Sequence, residues 1–436
     1  MEPANTRKIF SGTTTLGNNN LSFPVRIALD DAIHDGIIDN LIKEQQNGGI
    51  DDSFYVLELD AILRLCCLWR ETLPRVEPFY AVKVNHDPAI LYTLASLGVG
   101  FDCASKDEIQ RVLEIGDVNP NRIIYAHPCK QITHLQYAVQ NGISLATFDN
   151  EDELHKIRQA DPTMQLLLRI QADDPLADWK MGIKFGATLE EGKRLLSVAA
   201  KMELNVLGIS FHVGSGCRTT EAFSDAIADA KTLFDYTRIT FGYCMKILDI
   251  GGGFPGSSEL QKTFKKFGNI VNNSLEEYFP TSSGVRIIAE PGRFFAMAPY
   301  TLCCSIIARR VLPDKTSRPM YYISDGKYGS LMYYPLEGKG SFRLVRRSRT
   351  ILLSESDASS ASASLWGPTC CGTDCIMPEI PLPEMAIGDW IVFYEMGAYS
   401  YTNATTFNGF PKPRTVYVAR SRYLSEAHVK RPSSYT

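Results

Sequence analysis

The feature that most constrains the fold is a regular alternation of short apolar runs with stretches of helical period between residues 79 and 290. The runs have the length and composition of buried strands, and the stretches between them have the apolar spacing of amphipathic helices. Strict alternation implies parallel strands joined by crossover helices, and eight such units predict a (β/α)8 barrel; an open doubly wound sheet is the alternative. The eight predicted strands are Phe79–Val84, Val99–Asp102, Arg122–Ala126, Ile143–Phe148, Gln165–Ile170, Val206–Val213, Lys246–Ile250 and Val285–Glu290.

Polar side chains stand at the carboxyl ends of these predicted strands, on the face where the active sites of parallel barrels are built. They are Lys83, Asp102, Arg169, His212, the run Gly251-Gly252-Gly253, and Glu290. Residues scattered over a surface would not cluster in this way. The pattern therefore favours the barrel over the open sheet.

The alternation stops after Arg293, and strand-like runs separated by Pro and Gly turns follow it. The expected fold class is therefore α/β plus β, a TIM-type barrel with a second, C-terminal β-rich domain. The expected division is residues 1–50 as an N-terminal segment packing with the β-domain, 51–295 as the barrel, 296–425 as the β-rich domain and 426–436 as a tail. The Ser/Ala/Asp-rich stretch Ser354–Ser364 is predicted to be a mobile loop.

Composition narrows the class of partner. A net charge of −4 without a long basic run argues against nucleic acid or an anionic membrane surface, and favours a small molecule. The first residues lack the character of a signal or transit peptide, and no apolar run reaches membrane-spanning length. The 11 cysteines include adjacent pairs and no CxxC motif, which indicates reduced thiols, a cytoplasmic location and no metal site.

Lys83 closes the apolar and aromatic run Pro78–Asn85. An unpaired ammonium is costly to bury, so its amine must reach water or find a chemical partner. One interpretation is a strand-end lysine whose stem is buried while its amine reaches solvent. The other is a Schiff-base lysine that holds a carbonyl cofactor, which needs support from the rest of the chain.

Two segments offer groups that bind anions. Gly251-Gly252-Gly253 follows an apolar strand and presents backbone N–H groups without side-chain interference, and Arg293 in Glu290–Arg293 offers a fork of donors. Phosphate sites after the seventh and eighth strands recur in barrels. The ordinary alternatives are a tight turn for the glycines and a salt bridge for the arginine.

Two further residues match a planar, phosphorylated cofactor. Glu290 could pair with a protonated pyridine nitrogen, and His212 could stack on the ring while Ser215 donates to the phosphate. A salt bridge and a core histidine are the ordinary alternatives. A lysine, an anion cradle, a carboxylate and a stacking ring on one barrel face together favour pyridoxal phosphate.

These motifs resemble the signature segments of the eukaryotic ornithine decarboxylase family, from about residue 50 almost to the end of the chain. The matching segments are Pro78–Asn85, Gly100–Ser105, Gly208–Cys217, Asp249–Gly256, Ile288–Arg293, Trp366–Cys370 and Met396–Tyr399. The resemblance implies a pyridoxal-phosphate decarboxylase with the alanine-racemase-like fold, a barrel plus a β-domain. It also implies a head-to-tail homodimer whose active sites lie at the subunit interface.

The resemblance also implies roles for single residues. The implied cofactor-binding residues are Lys83 as the Schiff-base lysine, Glu290 at the pyridinium nitrogen, His212 on the ring, Asp102 and Arg169 near the ring, and Ser215, Gly251, Gly252, Gly253, Gly292, Arg293 and Tyr399 at the phosphate. Cys370 would protonate the carbanion after carbon dioxide leaves. The implied substrate-binding residues are Ser324, Asp325, Cys371 and Tyr399, with Asp325 at the distal amine of the substrate, while Lys184 and Asp374 would bridge the subunits.

The chain departs from the family at the substrate end. The family pattern Cys-Asp-Gly-x-Asp reads Cys370-Cys371-Gly372-Thr373-Asp374 here, and the Asn before Asp325 is Ser324. The family run after Tyr328-Gly329-Ser330 is replaced by Leu331–Gly338. Losing one partner of a buried charge pair costs about 2–5 kcal/mol, on the order of thirtyfold or more in affinity, so ornithine should bind poorly.

The cofactor residues are all retained, which favours a working decarboxylase of an L-amino acid, either ornithine-like or a larger diamino acid derivative, that gives an amine. An alternative is a specialised decarboxylase, as in alkaloid biosynthesis, that acts on an N-substituted or carboxylate-bearing diamino acid. A non-catalytic regulatory paralogue is a further alternative. An amino-acid racemase of the same fold is disfavoured by Cys370.

Overall fold

The computed structural model describes residues 9–18, 21–116, 118–172, 174–311, 318–334, 342–345, 350–351 and 361–421. The chain forms two compact units. The barrel unit contains Ile62–Phe295 with residues 17, 18 and 21, and the sheet unit contains Ser22–Ala61, residues 9–16 and the described residues from 296 to 421. The expected tail, 426–436, lies outside the described residues, as do 335–338 and 354–360.

The strands of the described chain are numbered in order. They are β1 (Phe10–Gly17), β2 (Ser22–Ala28), β3 (Phe54–Glu58), β4 (Val76–Ala81), β5 (Gly100–Cys103), β6 (Ile123–Tyr125), β7 (Leu145–Phe148), β8 (Gln165–Ile170), β9 (Asn205–Phe211), β10 (Ile247–Asp249), β11 (Arg286–Ala289), β12 (Tyr300–Arg310), β13 (Met320–Ile323), β14 (Phe342–Val345), β15 (Thr350–Ile351), β16 (Ala361–Trp366), β17 (Cys375–Leu382), β18 (Trp390–Phe393) and β19 (Arg414–Arg420).

The α-helices follow the same convention. They are α1 (His34–Asn47), α2 (Leu59–Thr72), α3 (Pro88–Ser96), α4 (Lys106–Glu114), α5 (Ile132–Gln140), α6 (Glu151–Ala160), α7 (Leu189–Lys201), α8 (Glu221–Phe241), α9 (Ser258–Gln261), α10 (Phe264–Tyr278) and α11 (Arg293–Ala296). None of them combines the length and apolar character needed to cross a bilayer.

The eight strands β4 to β11 form a closed parallel barrel, as the alternation predicts. Each strand pairs with the next, and β11 pairs with β4 in a register that aligns Ile287 with Val76 and Ala289 with Pro78. Buried apolar side chains from six of these strands or their ends pack into one core cluster; they are Phe79, Ile124, Ala126, Leu145, Leu167, Ile247 and Ile288. The barrel is therefore a packed core, and its chemistry is confined to the strand ends.

The first barrel strand ends earlier than expected. β4 stops at Ala81, and Lys83 lies in a 3₁₀ turn, Val82–Val84, rather than on the strand. Side chains just downstream take up the backbone donors: Asn85 Oδ1 accepts the Asp87 N–H at 3.0 Å, and Asp87 Oδ1 accepts the Ala89 N–H at 2.9 Å. Such local bonds compete with a strand ladder and start α3 instead.

The sheet unit contains an 11-stranded sheet whose main path runs β1-β2-β19-β3-β12-β13-β16-β17. β3 lies between β19, to which it is parallel, and β12, to which it is antiparallel. Residues 51–61 therefore belong to this unit, although the sequence analysis places them with the barrel. The sequence misses this boundary because β3 runs directly into α2, and the amino-acid composition does not change where the chain passes from the sheet unit to the barrel unit.

Three strands of this sheet differ from the sequence-based expectation. β1 and β2 lie in the N-terminal segment, for which no strand was predicted. Only Phe10 of the eight residues of β1 is buried, so the strand lacks the alternation that identifies a half-buried strand. Residues 361–364, expected in a mobile loop, belong to β16, which pairs with β13 and β17.

A buried ion cluster joins the two ends of the sheet unit's sequence. One Arg420 guanidinium nitrogen lies 2.7 Å from a Glu58 oxygen and 2.6 Å from an Asp60 oxygen, and all three residues are buried. Burial by itself raises the pKa of Glu58. The hydrogen bonds and charges of His34 and Arg420 outweigh burial and lower this pKa to about 2. The stability that this carboxylate contributes is therefore present at neutral pH and is lost as the pH falls from about 4 through about 2.

Replacing Arg420 by Met should destabilise the sheet unit by about 3–5 kcal/mol, because it leaves two buried carboxylates without their cation. The measurement is the urea midpoint of the unfolding transition, with the free-energy change taken from the shift. Arg318→Met is the matched control, since the Arg318 and Glu379 side chains of that pair are 48% and 61% exposed and the loss should stay within about 1 kcal/mol. Equal shifts for the two variants would contradict the assignment.

Candidate active site

The barrel unit carries a rim of polar residues at or just past the carboxyl ends of its strands. Asp102 lies on β5, Arg169 on β8 and Asp249 on β10, while His212 follows β9 and Glu290 follows β11. Lys83 stands in the turn after β4. Closure of the barrel brings these residues onto one rim, and all of them except Asp249 belong to the sequence-based site.

Lys83 has a defined partner on this rim. Its Nζ lies 2.6 Å from Oδ2 of Asp102, a carboxylate that is 1% exposed, whereas the lysine side chain is 35% exposed. The second oxygen of Asp102 is buried without a hydrogen-bond partner among the described residues. The pair therefore holds the amine at the rim, within reach of a small molecule, with acceptor capacity left over.

The glycine run wraps closely around the end of β9. Gly251 and Gly253 have φ of 62° and 105°, the left-handed region that favours glycine. A Cβ on Gly252 would lie 2.7 Å from His212 Nε2 and 2.8 Å from the Glu290 carbonyl oxygen. These side-chain-free residues leave a cradle of backbone at the rim, as expected from the sequence.

Ser215 and Arg293 meet beside this cradle. Arg293 Nε, at the start of α11, donates to Ser215 Oγ at 2.7 Å. A Cβ on Gly253 would lie 2.7 Å from the carbonyl oxygen of Gly214, so the glycine run and the segment after β9 are in contact. A cation, a hydroxyl and bare backbone amides are the usual components of a phosphate site.

Glu290 and Asp249 form a buried pair of acidic groups with no ion pair among the described residues. Burial raises the pKa of Glu290 well above its ordinary value, and the nearby carboxylates of Asp249 and Asp102 raise it further. Burial also raises the pKa of Asp249, although its Oδ1 accepts the Gly251 N–H at 2.9 Å. Its Oδ2 is buried without a hydrogen-bond partner among the described residues. A cationic group at this point would stabilise both carboxylates.

His212 presents a neutral ring. Its pKa is lowered well below the ordinary value by burial and by the cations Arg169 and Lys83. The Gly214 N–H donates to His212 Nδ1 at 3.0 Å, which leaves the ring proton on Nε2. A neutral imidazole fixed in this way offers a flat face to a planar ligand.

Five predicted site residues belong to the sheet unit. Asp325 is 5% exposed; its Oδ1 accepts the Gly326 N–H at 2.7 Å and the Ser330 N–H at 3.1 Å, and its Oδ2 has no partner among the described residues. Burial raises the pKa of Asp325 to about 6. Ser324, by contrast, is engaged within the fold, since its hydroxyl lies 2.7 Å from the Ser53 hydroxyl and accepts the Ser305 N–H at 2.9 Å.

Cys370 and Cys371 lie on the loop between β16 and β17. Cys370 is exposed, and its N–H donates to Asn408 Oδ1 at 2.9 Å. The Cys371 sulfur contacts the hydroxyls of Tyr328 and Thr373, two residues that the sequence did not identify.

Tyr399 adopts a left-handed φ of 54°, rare for a bulky residue. Such a conformation persists only where the surroundings hold it, and such residues cluster at functional sites.

The two residues expected to bridge subunits have contacts within their own units. Asp374 is 1% exposed, and its oxygens accept the Lys327 N–H at 2.8 Å, the Thr369 N–H at 3.1 Å and the Thr369 hydroxyl at 2.6 Å. Lys184 lies over the ring of Phe185 at 5.0 Å. Asp374 thus orders the cysteine loop from inside its own chain.

A family model and several known proteins are similar to this chain. Residues 59–297 match the family model of the pyridoxal-binding domain of pyridoxal-dependent decarboxylases. Ornithine decarboxylase of Rattus norvegicus is 45% identical over 397 residues, which cover 88% of this chain and 84% of that protein. Antizyme inhibitor 2 of Xenopus laevis is 40% identical over 390 residues, 87% of this chain and 84% of that protein.

A solved structure extends the likeness to three dimensions. The arginine decarboxylase of Paramecium bursaria Chlorella virus superposes with a TM-score of 0.80 at 37% identity, covering 88% of this chain and 99% of that one. The fold and rim define the class, a pyridoxal-phosphate-dependent amino-acid decarboxylase. The chain belongs to the ornithine decarboxylase family of these enzymes.

The rim fits pyridoxal phosphate. Glu290 and Asp249 form no ion pair in the described part of the chain and would be stabilised by a pyridinium nitrogen, and the glycine cradle, Ser215 and Arg293 match a phosphate. Asp249 is a rim residue that the sequence-based site omits. The feature that could have identified Asp249 is the presence of a carboxylate within the apolar run of β10.

Gly252→Ala should weaken binding of pyridoxal phosphate about tenfold or more, because the new methyl group would press on His212 and on the backbone of Glu290. The measurement is titration of the cofactor-free protein, followed by the absorbance of the bound cofactor. Gly12→Ala is the control, since a Cβ there meets nothing within 4 Å. Unchanged affinity in Gly252→Ala would show that the cradle is not a cofactor site.

Proposed function

We propose that the protein decarboxylates an L-α-amino acid that carries a second, distal amino group, ornithine-like or larger. The observation that carries this proposal is the rim itself, where Lys83, a buried acidic pair and an anion cradle surround one opening. The retained Asp325, buried with one oxygen that has no partner in the described part of the chain, supports a cationic group at the far end of the substrate.

The cofactor would be held by residues of this chain. Lys83 would bind it covalently through its amine, which Asp102 orients. Ser215, the glycine run with Gly292, Arg293 and Tyr399 would bind the phosphate, and Arg169 would lie near the ring. When bound, pyridoxal phosphate supplies an electron-withdrawing ring that accepts the electron pair left by carbon dioxide.

Glu290 and His212 would tune the site. An ionised Glu290 would accept a hydrogen bond from a ring nitrogen that stays protonated, and Asp249 lies beside it to share the charge. His212 would contact the ring face as a neutral imidazole, so it adds no cation where electron density must flow.

Cys370 would supply the final proton. Its exposed thiol can donate to the α-carbon once carbon dioxide has left, which fixes the product as an amine. We propose that this thiol comes from the second subunit of a homodimer, with the active sites shared at the interface. We also propose a cytoplasmic location, supported by the 11 cysteines of the sequence, all of which are free thiols.

The first test is carbon dioxide release by the purified, pyridoxal-phosphate-loaded protein. The panel is ornithine, lysine, arginine, diaminopimelate, leucine and N-substituted 2,4-diaminobutyrates with carboxylate-bearing substituents. Release with one of the diamino acids supports the proposal, and ornithine as the best substrate would assign the protein to polyamine biosynthesis.

Release confined to the carboxylate-bearing compounds would support the specialised alternative. The absence of a carboxylate at Cys371 favours this alternative. Silence across the panel, with cofactor bound, would overturn the catalytic proposal in favour of a regulatory paralogue.

Shared sites predict complementation between two inactive variants. Lys83→Ala and Cys370→Ala should each be inactive alone. Mixed in equal amounts and allowed to exchange subunits, they should recover about one quarter of the wild-type rate, because half of the dimers are mixed and each of these has one intact site. The control is each variant carried through the same exchange alone. No recovery in a sample shown by mass to contain mixed dimers would mean that each site lies within one chain.

A further inference from the structure

The sulfur of Cys371 lies in a triangle with two hydroxyl groups. Tyr328 Oη is 3.0 Å from the sulfur, Thr373 Oγ1 is 3.1 Å from it, and the two oxygens are 3.0 Å apart. The Thr373 backbone N–H also bonds to the sulfur. Two hydroxyl groups and one backbone N–H therefore converge on one sulfur atom.

This arrangement suits an anion. A neutral thiol is a weak acceptor, whereas a thiolate readily accepts several hydrogen bonds. The hydroxyls of Thr373 and Tyr328 and the Thr373 N–H lower the pKa of Cys371, and partial burial and the charge of Asp374 oppose them without reversing the direction. The titratable groups facing the sulfur are Tyr328 and Asp374, and both oxygens of Asp374 are taken by Lys327 and Thr369.

Tyr328 is held in place independently of the cysteine. Its ring packs on Phe407 with centroids 4.7 Å apart. Its carbonyl accepts the Thr405 N–H at 2.9 Å and the Thr405 hydroxyl at 2.7 Å. The phenol is thus fixed before the sulfur ionises, so little ordering is needed to stabilise the charge.

We infer that Tyr328 and Thr373 are specificity-determining positioning residues, which hold Cys371 as a thiolate that binds the distal ammonium of the substrate. The inference rests on the proposed function, which places Cys371 in the substrate site. It assigns a negative charge to the position where the family pattern has an aspartate. Unlike the charge of an aspartate, the charge of this thiolate changes with pH near neutrality. Recognition of a diamino acid should therefore strengthen as the pH rises through the ionisation of Cys371 and weaken below it.

The first experiment reads the thiol without using catalysis. The pyridoxal-phosphate-loaded protein is pulsed with iodoacetamide from pH 5 to 10, and alkylation of each cysteine is measured by peptide mass spectrometry. Cys371 should react with a midpoint below the ordinary thiol value of about 8.5, and Cys129, whose pKa is raised by burial, with a higher one. Tyr328→Phe and Thr373→Val should each raise the Cys371 midpoint by about one pH unit.

Thr163→Val is the matched control, since Thr163 is exposed and bonds only locally to Asp161. It should leave the Cys371 midpoint unchanged. An ordinary midpoint for Cys371 in the wild type, or no response to either hydroxyl removal, would overturn the inference.

The second experiment connects the charge to specificity. With the best diamino acid of the panel, kcat/KM of the wild type should rise through the Cys371 midpoint. Cys371→Asp should exceed the wild type below that midpoint, by on the order of thirtyfold, and converge with it above. Cys371→Ser should show no such rise. An identical pH profile for the wild type and Cys371→Ser would overturn the inference while leaving decarboxylation established, and no release from any substrate would refute the proposed function alone.

Discussion

The pairing of β11 with β4 closes the barrel, and the chemistry of the rim depends on this closure. Lys83 and Glu290 come from the first and last barrel strands, far apart in the chain, and only the closed ring makes them neighbours. Because the strands are parallel, every carboxyl end faces the same side, so each contributes its side chain to one opening. An open sheet would place the same two residues at opposite edges.

Buried acidic side chains dominate the electrostatics of this rim. Asp102, Asp249 and Glu290 are all buried, and Lys83 forms its salt bridge with Asp102. Burial and mutual repulsion favour the protonated form of Glu290. A cationic ring nitrogen would reverse that preference, so binding of the cofactor and release of a proton are linked. The rim thus favours ligands that place a positive charge beside the buried carboxylates and an anionic phosphate beside Arg293.

Much of the fold could be predicted because the barrel strands are continuous apolar runs, as parallel strands buried on both faces must be. The end of β4 could not, since bonds from Asn85 and Asp87 override the apolar run that includes Val82 and Val84. β1, with one buried residue, carries no alternation to detect. The rim residues followed from their positions at strand ends, whereas the contact of Tyr328 with Cys371 joins two loops 43 positions apart and has no local pattern.

The order of strands in the sheet unit has a consequence for synthesis on the ribosome. β3 pairs with β12 and β19, yet the whole barrel sequence lies between β3 and β12. At typical translation rates, roughly ten to fifty seconds separate emergence of β3 from emergence of its first partner. During that interval the buried strand Phe54–Glu58 has an unpaired backbone, and the barrel cannot close either, because β11 emerges only just before β12. The nascent chain is therefore most exposed to aggregation, and most in need of a chaperone, at its beginning rather than at its end.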